Sequence, residues 1–169
     1  MATDVKQAHI NTSGFLVLGR NRVRALSFVG TATAGTLAVF DTATAPVTSS
    51  VTYGRSGTTV TVTKTGHGLV TGDVVGIHFE AFPSATDGNY AITRVDANTF
   101  TLTDINSGTI TGSPAAVYVS GGGSWLFTYE SAATDIFNNS PDIPEDGVLA
   151  IKGVYAYMED ISVVNIYYG

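Results

Sequence analysis

The 169-residue sequence contains no cysteine, a single tryptophan and few charged residues. The absence of cysteine excludes disulfides, thiolate metal sites and a cysteine nucleophile. Charged residues make up 13% of the chain, which is about half the share usual for a soluble domain. No apolar run approaches the roughly 20 residues that a membrane-spanning helix needs, so we expect no membrane partner. The stretch from Met1 to Lys6 also lacks the layout of a signal peptide.

The few charges are predominantly acidic. Lys and Arg number 8 against 14 Asp and Glu, which gives a net charge of −6. Proteins that bind nucleic acid through the phosphates need an excess of positive charge. We therefore expect no nucleic-acid partner.

The residues that are abundant favour strands. Threonine recurs throughout, and the chain has 19 Gly, 8 Tyr and 8 Phe. Alternating runs such as Thr58–Thr63 and Val74–Phe79 are short and are separated by turn residues, with no helical period between them. This pattern predicts an all-β protein, a sandwich of the jelly-roll type or a barrel.

The pattern also indicates a discontinuous domain. Residues 48–120 begin after a Pro-containing turn and end at a Gly-rich linker, so they read as an inserted, small β-barrel-like module of five or six strands. Residues 1–47 and 121–169 then form one β-sandwich, with residues 1–14 as a flexible arm or the lead-in to an edge strand. Two successive domains, divided near residue 50, are the alternative, but the first would have too few strands to bury a core.

Two stretches of the inserted module form a recognisable pattern of turns and short strands, Thr65-Gly-His-Gly-Leu-Val-Thr-Gly-Asp73 and Asp87-Gly-Asn-Tyr-Ala-Ile-Thr-Arg-Val-Asp-Ala-Asn-Thr-Phe-Thr-Leu-Thr103. This pattern resembles a recurring β-module of tailed-bacteriophage structural proteins. The same pattern is similar to a small β-domain of ubiquitin-activating enzymes. The two stretches together span about 40 residues, from Thr65 to Thr103. The resemblance implies a virion part with no catalytic residues to carry over. The sequence has no phosphate- or dinucleotide-binding fingerprint and no metal-ligand spacing, so we also expect no cofactor and no metal.

The remaining sequence resembles small phage virion proteins of the capsid or tail. The stretches that carry this are Arg22–Asp41, Ile143–Tyr155 and the aromatic end at Tyr168-Gly169. The resemblance implies a non-enzymatic capsid cement or decoration protein, made in the host cytoplasm and located on the capsid surface. Its expected partners are the major capsid protein and further copies of itself, with a homotrimer matching the local threefold positions of the shell.

Two other functions stay open at this point. A tail-fibre, baseplate or head-fibre component would recognise host glycans, for which Trp125 with Tyr129, or Tyr155 with Tyr157, could form an aromatic platform. A glycan-cleaving enzyme would need two carboxylates about 5–9 Å apart in a groove. Asp142, Glu145 and Asp146, or Glu159 with Asp160, could supply them, although turn residues of this kind are more often solvated.

The histidines are weak candidates for chemistry. His67 lies between two glycines, which suits either a presented imidazole or a tight turn, and we favour the turn. His78 and Glu80 have the same parity in a strand, which predicts a surface contact on one face. His9 lies in the predicted arm.

The strongest candidates for binding are arginines and the last strand. Arg20, Arg22 and Arg24 share one parity with Leu26 and Phe28, so alternation predicts one face that turns from basic to apolar. Such a stripe either docks on an acidic surface or protects a solvated edge. The run Val163–Tyr168 is apolar on both faces, which favours a subunit interface. The alternative is that residues 125–129 of the same chain cover one face. The predicted interface residues are Arg20, Arg22, Arg24, Trp125, Ile166, Tyr167 and Tyr168.

Overall fold

The computed structural model describes residues 5–80, 84–134, 136–137 and 143–169 of the chain. Residues in strands or single β-bridges make up 57% of the described residues, and the described ranges contain no helix. The strands pair antiparallel in several sheets. The all-β class predicted from composition and alternation is therefore confirmed.

The described ranges contain sixteen strands, numbered here in chain order. They are β1 (Lys6–Ile10), β2 (Gly14–Leu18), β3 (Asn21–Gly30), β4 (Gly35–Asp41), β5 (Thr52–Ser56), β6 (Thr59–Thr63), β7 (Val74–Phe79), β8 (Gly88–Ala91), β9 (Thr93–Arg94), β10 (Thr99–Thr103), β11 (Ala116–Val119), β12 (Ser124–Ser131), β13 (Ile136–Phe137), β14 (Val148–Ala150), β15 (Gly153–Glu159) and β16 (Ile161–Tyr168).

Contacts divide the chain into two compact units. The first, called the sandwich unit below, consists of Met1–Ala45 and Leu126–Gly169, and the second, called the insert unit, is Pro46–Trp125. The predicted module, residues 48–120, falls within the insert unit.

The sandwich unit has the strand order of a jelly roll. One sheet runs β1-β16-β3, and β13 and β14 pair with successive parts of β3 as one interrupted strand. The other sheet runs β12-β4-β15-β2. Each of β1 to β4 crosses to the opposite sheet. The strands β12 and β13/β14 return at the edges beside β4 and β3, and β15 and β16 return between earlier strands. This is the double Greek-key arrangement.

One apolar core lies between these two sheets. Alternating residues of both sheets supply it, because successive side chains of a strand point to opposite faces. Its buried members are Leu16, Val23, Leu26, Phe28, Leu37, Val39, Ala150, Val154, Ala156, Ile161, Val164 and Ile166.

The beginning of the described chain is an edge strand. Residues 6–10 pair along their whole length with β16, from Lys6 opposite Tyr168 to Ile10 opposite Val164. Of the two readings that the sequence allowed for this stretch, the edge strand is the one observed. Its exposed side chains, Lys6, Gln7 and His9, suit an edge that must not pair with other chains.

The insert unit consists of two small sheets around a core of its own. The sheets run β5-β6-β10-β9 and β11-β7-β8. On one side they are continuous, because only Ile92 separates β8 from β9. On the other side, single bridges join Thr52 to Ala115 and Arg55 to Ile110. The strands thus surround a core that includes Val62, Ile77, Phe100 and Tyr118.

Threonine covers the solvent face of the larger sheet in this unit. Cross-strand partners on that face include Thr61 opposite Thr101 and Thr63 opposite Thr99, and the alternate positions Val60 and Val62 are fully buried. A β-branched side chain with a hydroxyl suits a strand position that is half solvated. The abundance of threonine in the sequence is therefore explained by sheet formation.

Close packing at Gly76 of β7 gives a testable consequence. A Cβ added at this position would lie 2.1 Å from the backbone nitrogen of Trp125 and 2.6 Å from the carbonyl carbon of Ser124. Because both neighbours are backbone atoms, we expect Gly76→Ala to destabilise the insert unit by about 3 kcal/mol. Chemical denaturation measures this, and Gly14→Ala is the control, since its Cβ would meet nothing closer than 3.7 Å. Equal stabilities of the two variants would contradict the packing.

Candidate functional site

The sandwich unit concentrates its positive charge at one end. Strand register places Lys6 opposite Tyr168, and Tyr168 opposite Val23, so the start of β1, the end of β16 and the start of β3 meet there. The turns between β2 and β3 and between β14 and β15 lie at the same end, where the Gly19 N–H donates to the Lys152 carbonyl at 2.8 Å. This basic end holds all five Lys and Arg residues of the unit: Lys6, Arg20, Arg22, Arg24 and Lys152.

The opposite end of the sandwich unit is acidic. The end of β12 carries Glu130, the end of β15 carries Glu159, and Asp160 forms the turn between β15 and β16. No Lys or Arg of this unit lies there, since all five belong to the basic end. The unit is therefore polarised along its strands.

A β-bulge places the arginines differently from the sequence expectation. Tyr167 pairs with Ala25 whereas Tyr168 pairs with Val23, so Arg24 is an extra residue in β3. A bulge reverses the parity of a strand. Val23 and Leu26 therefore both face the core, and both are 0% exposed. The predicted common face of the three arginines with Leu26 is wrong for this reason.

Two of the arginines hold the turn that precedes β14. The Arg22 Nη1 donates to the carbonyl of Asp146 at 2.9 Å and to that of Gly147 at 3.3 Å. The Arg24 Nη1 donates to the same Asp146 carbonyl at 3.2 Å and to that of Glu145 at 3.4 Å. Both guanidinium groups are thereby fixed in position, since a planar fork keeps its orientation once one edge is bonded.

Arg20 differs from the other two. It lies in the turn before β3 and is exposed, and its side chain makes no hydrogen bond or ion pair within the described ranges. Beside it is a shallow concavity of about 160 Å³, lined by Arg20, Asn21, Arg22, Leu149 and Gly169. The Asn21 Nδ2 donates to the Leu18 and Gly19 carbonyls at 3.2 and 3.0 Å, which fixes the turn.

The predicted interface at the last strand separates into core and surface. Ile166 is 0% exposed and belongs to the core, so it is unable to contact a partner directly. Tyr168 is partly buried and packs against the same core. Tyr167 is half-buried and lies between Gln7 and Ala25. Packing within the unit therefore explains the core face of this strand, with Val164, Ile166 and Tyr168, and leaves Tyr167 on the opposite face.

The aromatic pairs proposed as a glycan platform are used mainly in packing. Tyr155 is 9% exposed and meets the ring of Phe15 edge to face at 5.0 Å, and burial raises its pKa. Tyr129 packs against Phe28 and the core. Trp125 is half-buried in the insert unit. Sugar rings stack on exposed aromatic faces, so Tyr155 is unsuited to this role.

His67 is a structural residue of its turn. The Leu69 N–H donates to Nδ1 at 3.0 Å, so the proton lies on Nε2, which is 3.0 Å from the Asp96 carbonyl. Its ring also packs edge-on against Phe100 at 5.3 Å. Both ring nitrogens are thus occupied, in agreement with the turn interpretation.

His78 pairs with a carboxylate other than the expected one. Its Nδ1 lies 2.7 Å from Asp87 Oδ2, and the Phe79 N–H donates to Asp87 Oδ1 at 2.8 Å. His78 is 4% exposed, so this contact is buried, whereas a contact on the strand surface was predicted. Asp87 reaches it because the next residue, Gly88, pairs with Ile77 of β7.

The acidic groups form no metal site within the described ranges, where no cluster of three or more possible ligands is found. Asp142 lies outside those ranges. Glu145 and Asp146 are exposed in the turn held by the two arginines, and Asp160 accepts from the Thr31 hydroxyl at 3.4 Å.

Two buried carboxylates were missed by sequence reasoning. In the sandwich unit, Asp41 is 6% exposed and accepts three backbone N–H groups, those of Ile151, Lys152 and Gly153, at 2.9, 2.7 and 3.1 Å. This carboxylate fixes the turn that carries Lys152 at the basic end. The position of Asp41 at the end of an apolar strand was the only signal in the sequence.

In the insert unit, Asp104 forms a buried ion pair with Arg55. It also accepts the N–H groups of Thr86 and Asn106 at 3.2 and 3.1 Å. Burial alone raises the pKa of Asp104, but these donors together outweigh it, and the pKa is lowered from its ordinary 3.8. The pair joins the end of β10 to β5.

The chain matches no protein-family model, no curated protein and no solved structure. No helix long and apolar enough to cross a membrane occurs in the described ranges. The function must therefore be argued from the surfaces and buried groups just described.

Proposed function

We propose that this chain is a non-enzymatic structural protein of a tailed-phage virion, a cement or decoration protein that binds the expanded capsid shell. The observation that carries the proposal is the basic end of the sandwich unit. Five positive side chains lie there with three carboxylates, those of Asp41, Glu145 and Asp146, so the charge at this end stays positive in an otherwise acidic protein. Such a surface is complementary to an acidic partner. The expected partner is the major capsid protein.

The fate of the buried charged groups supports binding over catalysis. Catalytic sites keep titratable groups with perturbed pKa values in a cleft, where substrate can reach them. Here the Asp41 carboxylate accepts hydrogen bonds from three N–H groups of a turn. The Asp104 carboxylate pairs with Arg55 and accepts N–H groups of a loop. Each of these carboxylates holds the fold together.

The architecture is compatible with this proposal but does not select it. Jelly rolls occur in viral capsid proteins and in lectins alike, and a fold does not determine a function. The positive charge at the basic end favours the capsid role. A glycan site would instead rely on exposed aromatic side chains, and Tyr155 is buried. We propose a homotrimer at local threefold positions, in which repeated weak contacts add by avidity.

Cosedimentation with expanded shells that lack the protein tests the proposal. We expect binding to saturate at a fixed, symmetric number of copies per shell and to raise the melting temperature of the shell. Binding to host cells or purified glycans without binding to shells would contradict the cement function and favour the receptor-recognising alternative.

A further inference from the structure

The three arginines of the basic end make different contacts. Arg22 and Arg24 each donate Nη1 to the carbonyl of Asp146, so part of each fork is used within the unit. Arg20 is exposed at the rim of the concavity. No described residue accepts a hydrogen bond from any of its five N–H groups.

We infer that Arg20 is the anchor for a carboxylate side chain of an acidic partner protein, and that Arg22 and Arg24 are positioning residues that shape its seat. The identity of the partner as the capsid shell rests on the proposed function. The binding of a carboxylate is argued independently of that function, because it follows from an exposed guanidinium group beside a concavity. A guanidinium binds a carboxylate through two parallel hydrogen bonds.

The concavity has room for a side chain. About 160 Å³ is room for one carboxylate side chain, and Leu149 provides an apolar wall for its methylene groups. The floor is stable, because Arg22 exchanges two backbone hydrogen bonds with Gly169 at 3.3 and 3.1 Å. A small, preformed seat of this kind needs little reorganisation on binding.

The local charge favours a protein carboxylate over a nucleic-acid phosphate chain. Glu145 and Asp146 lie exposed in the turn beside Arg22 and Arg24. A polyphosphate backbone would meet these carboxylates over its length, whereas a single acidic side chain at Arg20 would not. The basic end is thus suited to one or a few carboxylates.

The test compares Arg20→Ala with Arg94→Ala. Arg94 is an exposed arginine of the insert unit, so the two variants remove the same charge from different surfaces. We expect Arg20→Ala to weaken binding to expanded shells about 10-fold at physiological ionic strength, the effect of losing a central Arg contact. Arg94→Ala should change the affinity for the shells by less than about 2-fold, the effect expected of a surface substitution away from the binding site. Arg20→Lys should recover only part of the loss, since an ammonium lacks the fork.

A second arm uses probes that do not depend on the shell. A short peptide with two glutamates and a single-stranded DNA oligonucleotide with the same number of negative charges are titrated at low ionic strength against the wild type and both variants. The inference predicts peptide binding that Arg20→Ala weakens and Arg94→Ala leaves unchanged. Tighter binding of the oligonucleotide than of the peptide would overturn the carboxylate assignment.

The outcomes separate the inference from the proposed function. If shells bind the wild type and both variants equally, the anchor role of Arg20 is wrong and the cement function stands. If shells bind none of them but the peptide distinguishes Arg20→Ala, the cement function is wrong and the carboxylate site stands. Arg22→Ala tests positioning, because it should weaken peptide binding, and Arg22→Lys, which can still donate to the Asp146 carbonyl, should restore most of it.

Discussion

Asp104→Asn is expected to destabilise the insert unit by about 4 kcal/mol, the cost of leaving a buried charge without its partner. The Asp104 side chain is fully buried and that of Arg55 is 8% exposed, so water is unable to replace the lost carboxylate. The loop N–H groups of Thr86 and Asn106 lose a charged acceptor at the same time. Hydrogen exchange by mass spectrometry should show the loss of protection within Pro46–Trp125.

The double variant Arg55→Met with Asp104→Leu is the matched control. Replacing both charges with apolar side chains removes the unpaired group, so its loss of stability should be smaller than that of Asp104→Asn. A double variant as unstable as the single one would show that the hydrogen bonds to the loop, and not the ion pair, dominate.

The same carboxylate gives the insert unit a dependence on pH. Because the folded-state pKa of Asp104 is lowered from 3.8, its contribution to stability is present above that value. It is lost as the pH falls through the folded-state pKa. Denaturation of the wild type between about pH 5 and pH 2 should show this loss, and Asp104→Asn should lack it. Parallel profiles for the two proteins would contradict the assignment.

Asp41→Ala is expected to cost the sandwich unit about 4 kcal/mol. Three backbone N–H groups, those of residues 151–153, lose a buried and charged acceptor, and each such bond is worth about 1.5–3 kcal/mol before relaxation. Asp41→Asn should cost about half as much, since its amide keeps one acceptor oxygen.

Asp146→Ala is the control for this prediction. It removes an exposed carboxylate at the same end of the unit and should change stability by less than about 0.5 kcal/mol. Thermal denaturation of the three variants measures the difference. Similar melting temperatures for Asp41→Ala and Asp146→Ala would mean that the turn between β14 and β15 does not depend on the carboxylate.

Strands that alternate cleanly could be predicted from the sequence. The expected run Thr58–Thr63 corresponds to β6, and Val74–Phe79 is identical to β7. Alternating β-branched residues indicate a strand and its buried face together, because the side-chain period is two. The all-β class follows from many such segments with no competing helical period.

Strands whose buried residues are charged could not be predicted in this way. β5 was missed because Arg55 reads as a surface residue, whereas its buried position depends on Asp104, 49 positions away. The bulge at Arg24 was equally invisible, because it is defined by the register against β16. Pairings between distant segments leave no local signal, and they decided the placement of the arginines.

The sequence therefore predicted which arginines belong to the candidate site, but it did not predict how they are arranged. The sequence singled out Arg20, Arg22 and Arg24 as a group. The structure divides them into one exposed arginine and two that hold a turn. The turn residues 145–147 reach the arginines through the pairing of β14 with β3, which no spacing in the sequence indicates.

Electron cryomicroscopy of expanded shells saturated with the protein tests the central claim most directly. The account predicts density for the sandwich unit at symmetric positions on the shell, with its basic end and Arg20 against an acidic side chain of the capsid protein. Shells without such density, or with the protein attached through the Glu159 and Asp160 end, would contradict it.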